Sequence, residues 1–213
     1  MSGDAAQGLP APPATLVADD ENWLSWSVPV WRVHANEPGR PAWNELRHWG
    51  PAPGTRFDPQ EPPSAAGQPE GVQYVGASAL IALTEAFQST RAIPVHDDSL
   101  WLFGWEPARP MRLLDVRYTF GAANGTNAAF STADKSVVRQ WARAAHLRWT
   151  DMDGIVYNSK VVGGSSIALF SHAAVEPVWP ANPTYARALS DPAARPLLQK
   201  VADRVRWGLD YGG

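Results

Sequence analysis

Hydrophobic residues alternate with polar ones in a string of short runs along this chain, and in three places they recur at helical spacing instead. Val28-Pro-Val-Trp-Arg-Val-His34 alternates as a strand does, with Val28, Val30, Arg32 and His34 on one face, so burial of the valines carries Arg32 inward with them. Val72 to Val75 predicts a second short strand. Just beyond it, Ser78 precedes a run in which Ala, Leu, Ile and Phe return every three to four residues, which predicts an N-capped helix to about Gln88. Ser99–Trp105 and Arg112–Val116 have the β-branched and aromatic content of strands. Val137, Val138, Trp141, Ala144 and Ala145 form the buried stripe of a second helix, with Ser131 or Thr132 as its cap. Gly154–Val162, Gly163-Gly164 and Ser165–Phe170 predict a β-hairpin whose glycines supply the positive φ of the turn. Pro192–Trp207 predicts a C-terminal helix with Leu197, Leu198, Val201 and Val205 as its apolar set. The elements interleave without the regular alternation of a doubly wound sheet, so the expected fold class is α+β.

Composition narrows the picture. A chain of 213 residues, 45% hydrophobic and 18% charged, suits one globular domain with a sizeable core. Residues 1–22, rich in Ala, Gly and Pro, are expected to be a flexible lead-in, and residues 23–213 a single domain that starts where the aromatic content jumps at Trp23. Glu37–Pro53 is a turn-rich connection holding Trp43 and Trp49, and Gln60–Gly71 is a loop of Pro, Gly and Gln. A formal charge of −3 gives no electrostatic case for nucleic acid or an anionic membrane. The sequence has no apolar run of membrane-spanning length, and its N-terminus lacks the basic-then-apolar order of a secretory signal. Absence of Cys excludes disulfides and thiolate metal sites, which makes the cytoplasm the default expectation, although a secreted effector also fits. The five His are scattered, so no metal is expected. Phosphate-loop, zinc-protease and esterase signatures are all missing.

What remains is a dispersed polar set on apolar elements: Arg32, Arg56, Tyr74, Glu85 and Ser159. Between Gly71 and Arg91, Glu85 is the one charged residue. A carboxylate on an apolar helix is costly unless donors or a cation meet it, so it either pairs with an Arg or faces a site. Each of the others also has a plain reading: Arg32 pairs with a carboxylate, Arg56 belongs to a surface turn closed by Asp58, Tyr74 is a core aromatic, and Ser159 is a turn residue.

Four ordered blocks carry a resemblance to a known family. Trp31-Arg-Val-His34, Gly54-Thr-Arg-Phe-Asp-Pro59, Tyr74-Val-Gly-Ala-Ser with Ala82-Leu-Thr-Glu85, and Asp153-Gly-Ile-Val-Tyr-Asn-Ser159 ending in Ala168-Leu-Phe170 together resemble the RES domain. The resemblance covers roughly Val30 to Phe170. It implies an ADP-ribosyltransferase-like core of small mixed β-sheets flanked by helices. It further implies a toxin of the RES-Xre type, which consumes NAD by phosphorolysis or hydrolysis and is neutralised by a Xre-like antitoxin. A homodimer is left open. On that footing Glu85, Arg56 and Tyr74 are the catalytic set, with Glu85 kept ionised by Arg32 and Arg56, which also bind the pyrophosphate, while Tyr74 stacks on nicotinamide and Ser159 hydrogen-bonds the ribose or the carboxamide. Two other functions stay in view: mono-ADP-ribosylation of a protein, and a nucleotide- or carbohydrate-binding module without turnover. The loop from Gln60 to Gly71, Gly76 in place of a common Ala, and Asn158 in place of a common Pro depart from the family pattern.

Overall fold

The computed structural model describes Gly8–Gly212 and shows one large mixed sheet with helices against it. Its strands are β1 (Trp23–Trp26), β2 (Val30–Ala35), β3 (Val72–Gly76), β5 (Leu100–Trp105), β6 (Met111–Asp115), β7 (Gly154–Asn158), β8 (Ser165–Phe170) and β9 (Tyr185–Ala188), in the spatial order β1-β6-β7-β8-β3-β2-β5-β9. Among the described residues of this sheet, β6 and β7 form the one parallel pair. A separate parallel pair joins β4 (Ala92–Pro94) to β10 (Gly208–Asp210). The helices of more than one turn are α1 (Ala79–Phe87), α3 (Lys135–Arg148) and α5 (Arg195–Val205), while α2 (Phe120–Ala123) and α4 (His172–Val175) are single turns.

The sheet forks between β2 and β3. Those strands are paired only at Trp31 and Gly76, whereas β2 pairs with β5 along all six residues and β3 with β8 along all five. Where β2 leaves β3, the chain at Trp43–Arg47 takes its place: Arg47 bridges Val72 through two backbone hydrogen bonds, and the buried Gln73 side chain donates to the Trp43 and Glu45 carbonyls. The junction itself needs glycine, because a Cβ on Gly76 would meet the Ala82 nitrogen at 2.8 Å and Ile81 Cγ2 at 2.9 Å on α1. The helix therefore sits tight over the fork. Its Ser78 cap accepts from the Ile81 amide at 3.3 Å, and Leu83, fully buried, anchors it among Ile93, Leu102 and Leu198.

Most predicted elements lie within a residue or two of their expected places, and three details differ. The helix expected to start at Ser131 or Thr132 starts after Asp134, whose carboxylate accepts from the Ser136 amide. Ser131 is otherwise engaged, donating to the Asn158 carbonyl at 2.6 Å from a 3-10 turn whose Phe130 is buried. The first hairpin strand is shorter than expected, since Ser159–Gly164 forms the loop, with Gly163 and Gly164 at φ 67° and 78°, while the second lies where expected. Part of the N-terminal lead-in is docked: Leu9 and Leu16 are buried in the core around Phe120 and Trp141, and Pro10 accepts a 2.7 Å hydrogen bond from the Trp141 indole. Met1–Gln7 lie outside the described residues.

Candidate functional site

A cleft of about 680 Å³ opens at the fork, lined on one prong by Trp31 and Arg32 and on the other by Tyr74 and Val75. Helix α1 contributes Glu85, and β7 contributes Tyr157. Of the five residues expected at a site, four line this cleft, and Ser159 touches it through Glu85.

Glu85 is half-buried and makes no ion pair among the described residues, so the reading in which it simply pairs with an Arg does not hold. Its Oε1 accepts the Ser159 hydroxyl at 2.5 Å and the Lys160 amide at 3.2 Å, while Oε2 has no protein partner among the described residues. Two donors on one oxygen fix the rotation of the carboxylate. Ser159 is itself held, with its Oγ accepting from the Val161 and Val162 amides at 3.3 and 3.5 Å and its own amide bonded to Gly164. The expectation that arginines clamp Glu85 is thus replaced by a hydroxyl and an amide from the β7–β8 loop.

Arg56 lies on the loop before β3, where it donates to the Ala133 carbonyl. Burial lowers its pKa, and the nearby Tyr157 hydroxyl, the Glu85 carboxylate and Asp134 offset part of that. The loop is clasped from α3, as Arg139 donates to the Ala52 carbonyl at 2.5 Å and the Thr55 carbonyl at 2.7 Å. Asp58 does close the loop that carries Arg56, by accepting from the Ala52 amide at 2.7 Å, but it does so from the buried side, and the Arg56 side chain reaches Ala133 rather than Asp58. Arg32 donates to the Trp43 carbonyl at 3.1 Å and has no carboxylate partner among the described residues. Burial, with repulsion from Arg47, lowers its pKa to about 10, which leaves it charged at neutral pH. Two guanidinium groups thus line the cleft with no ion pair among the described residues, an arrangement suited to an anion.

Tyr74 divides its roles. Its ring lines the cleft, but its hydroxyl donates to Asp58 Oδ1 at 2.7 Å and accepts from the Phe57 amide at 2.9 Å. Burial and the Asp58 charge push its pKa well up, so it stays a neutral donor. Asp58 is fully buried and also receives both of its 2.8 Å contacts from Arg47 Nη2 and one at 2.7 Å from the Ala52 amide. This Arg47–Asp58–Tyr74 network, the Lys160 amide and the buried Tyr157 were not foreseen. Tyr157 stacks on Phe57 at 4.3 Å, and burial raises its hydroxyl pKa strongly. A carboxylate sandwiched between Phe57 and Pro59 was the available signal for Asp58; a backbone amide leaves none.

Comparison with known proteins gives two findings. The family model described as "RES domain" matches residues 29–188. Among solved structures, the crystal structure of the M. tuberculosis MbcT-MbcA toxin-antitoxin complex contains a chain similar to this one, with a TM-score of 0.57 and 17% identity over 85% of this chain and 92% of that chain. No curated protein matches.

Proposed function

This chain belongs to the RES-domain family, and from that premise we propose that it is a toxin that cleaves the bond between nicotinamide and ribose in NAD. The observation that carries the reading is a half-buried carboxylate, Glu85, oriented by two donors on one oxygen and left open on the other, in a cleft that also presents Arg32 and Arg56. In the reaction, the C1′ bond to the pyridinium nitrogen breaks with its electron pair going to nitrogen, so nicotinamide leaves neutral. Positive charge develops on the ribose. A fixed carboxylate favours that charge more in the transition state than in the ground state, which is the condition for raising turnover. The acceptor, phosphate or water, then supplies the oxygen that bonds C1′.

Arg32 and Arg56 bind the pyrophosphate, for which the planar guanidinium fork is suited. The Tyr74 ring stacks on nicotinamide while its hydroxyl stays with Asp58. Ser159 acts on Glu85 rather than on the substrate, and so is a positioning residue. The family reading carries with it a Xre-like antitoxin that covers the cleft, a partner supported by the neighbour's having been solved in a toxin-antitoxin complex, and the toxin works in the cytoplasm on NAD without a metal. The test is to incubate the pure protein with NAD, with and without phosphate, and to follow nicotinamide and the ADP-ribose product. NAD loss is expected, and a phosphorylated product identifies phosphate as acceptor. Intact NAD with the wild-type protein overturns the proposal.

A further inference from the structure

A second cleft, of about 570 Å³, adjoins the first, and the two share Gln88 and Lys160. Its other lining residues are Arg91, Val161, Val162, Val205 and Trp207. Two cations and no carboxylate line it, and neither Arg91 nor Lys160 forms an ion pair or a side-chain hydrogen bond among the described residues. The two valines of the hairpin loop and the half-buried Trp207 indole supply apolar surface.

The backbone builds this cleft at a cost. Among the described residues, the non-glycine positions with left-handed φ are Arg91 at 52° and Arg206 at 57°. Arg91 lines the cleft directly. Arg206 ends α5 and turns the chain so that Trp207, its amide bonded to the Ala202 carbonyl, stands at the cleft before β10 begins. The Gly208 amide donates to the Arg91 carbonyl and ties the two walls together.

An indole beside two cations that are unpaired among the described residues is the chemistry that takes a nucleobase and its phosphate. Resting on the NAD reading of the first cleft, we infer that the second cleft holds the adenylate half of the dinucleotide, the base against Trp207 and the adenosine-side phosphate against Arg91 and Lys160, while Arg32 and Arg56 hold the nicotinamide-side phosphate of the same pyrophosphate. The position of the loop adds a consequence. Val161 and Val162 donate their amides to Ser159 Oγ, which donates to Glu85, and the Lys160 amide bonds Glu85 directly. Contacts made in the second cleft therefore bear on the segment that orients the reactive carboxylate, so the adenylate half raises turnover as well as affinity.

The experiment compares NAD with nicotinamide mononucleotide, which has the scissile bond and no adenylate. For the wild type, kcat/KM is expected to be about a hundredfold higher with NAD, in kcat as well as KM. Trp207→Ala and Arg91→Asn, the latter chosen because Asn tolerates the left-handed backbone, each lower the NAD value by about tenfold and leave the mononucleotide value unchanged. An unchanged ratio of the two substrates in both variants overturns the inference. Calorimetric titration with AMP gives a readout that needs no turnover: binding to the wild type is expected, about tenfold weaker in Arg91→Asn, and equal or absent binding overturns the inference. AMP binding by a protein that leaves NAD intact keeps the adenylate cleft and removes only the NAD-cleavage reading.

Discussion

Two carboxylates stand at this site, Asp58 behind the cleft wall and Glu85 in the cleft, and they differ in how far the protein fills their lone pairs. Asp58 is fully buried and accepts from Arg47, the Tyr74 hydroxyl and the Ala52 amide, with both oxygens engaged. Glu85 is half-buried and accepts on one oxygen only. Burying a charge demands that it be paired and hydrogen-bonded, and Asp58 meets the demand in full. A saturated carboxylate has nothing left for a ligand. Glu85 keeps one oxygen for whatever enters the cleft, so one acid holds the wall and the other is available for chemistry.

Changing each acid separates the two roles. Glu85→Gln keeps the size and leaves Ser159 and Lys160 a neutral acceptor, so the fold should persist while NAD turnover falls by about a thousandfold or more, equivalent to roughly 4 kcal/mol of transition-state stabilisation. A Glu85→Gln enzyme that retains even a tenth of wild-type turnover ends the role assigned to that carboxylate. Asp58→Ala should do the reverse. It strands the partly buried Arg47 and the Tyr74 hydroxyl, and removing one partner of a buried pair costs about 3–5 kcal/mol. Melting should then drop by roughly 6–20 °C for a chain of this size, measurable by calorimetry. An Asp58→Ala protein that melts with the wild type but no longer turns over NAD would reverse the comparison.

Ser159→Ala sharpens it. The substitution removes the shorter of the two contacts to Glu85 and the acceptor for two loop amides. Loss of a charge-assisted hydrogen bond is worth about 1.5–3 kcal/mol, so kcat should fall by roughly 10–100-fold. The KM for NAD should hardly move, because the hydroxyl is given to Glu85 and not to substrate. A change confined to KM would instead return Ser159 to the ribose or the carboxamide. Ser159→Thr, which keeps the hydroxyl, should recover part of the lost turnover.

Local order was legible and long-range geometry was not. The strand at Val30, the Ser78 cap and the apolar stripe of α1 depend on neighbours within a turn or a strand, and periodicity exposes them. The start of α3 was misread because three candidate caps stand within four residues, and tertiary contacts claimed one: Ser131 went to the Asn158 carbonyl and left Asp134 to cap. The fork depends on Trp43–Arg47 displacing β2 from β3, a pairing with no local signature. The five site residues could be named from residue type and the order of their blocks, and four of them line one cleft. Their partners could not. Glu85 and Ser159 are 74 positions apart, and nothing near either residue announces the other.

The smallest expected effect concerns the prong that carries Arg32. His34, two residues further along β2, is buried with no partner for Nε2, and burial together with the Arg32 charge lowers its pKa to about 4. An imidazole in the unfolded chain titrates near the ordinary 6.5. Between those two values the unfolded state binds more protons than the folded one, so stability falls as pH drops from about 6.5 towards 4 and is unaffected by this group above that window. The full shift corresponds to about 3 kcal/mol, and partial solvation of the ring reduces it to roughly 1–2 kcal/mol. His34→Gln removes the titration, so the unfolding free energy of the wild type minus that of the variant should fall by that amount from pH 7 to pH 4. Parallel curves would mean that the ring takes its proton without penalty, and that the Arg32 prong is wetter than the packing of His34 beside Phe103 requires.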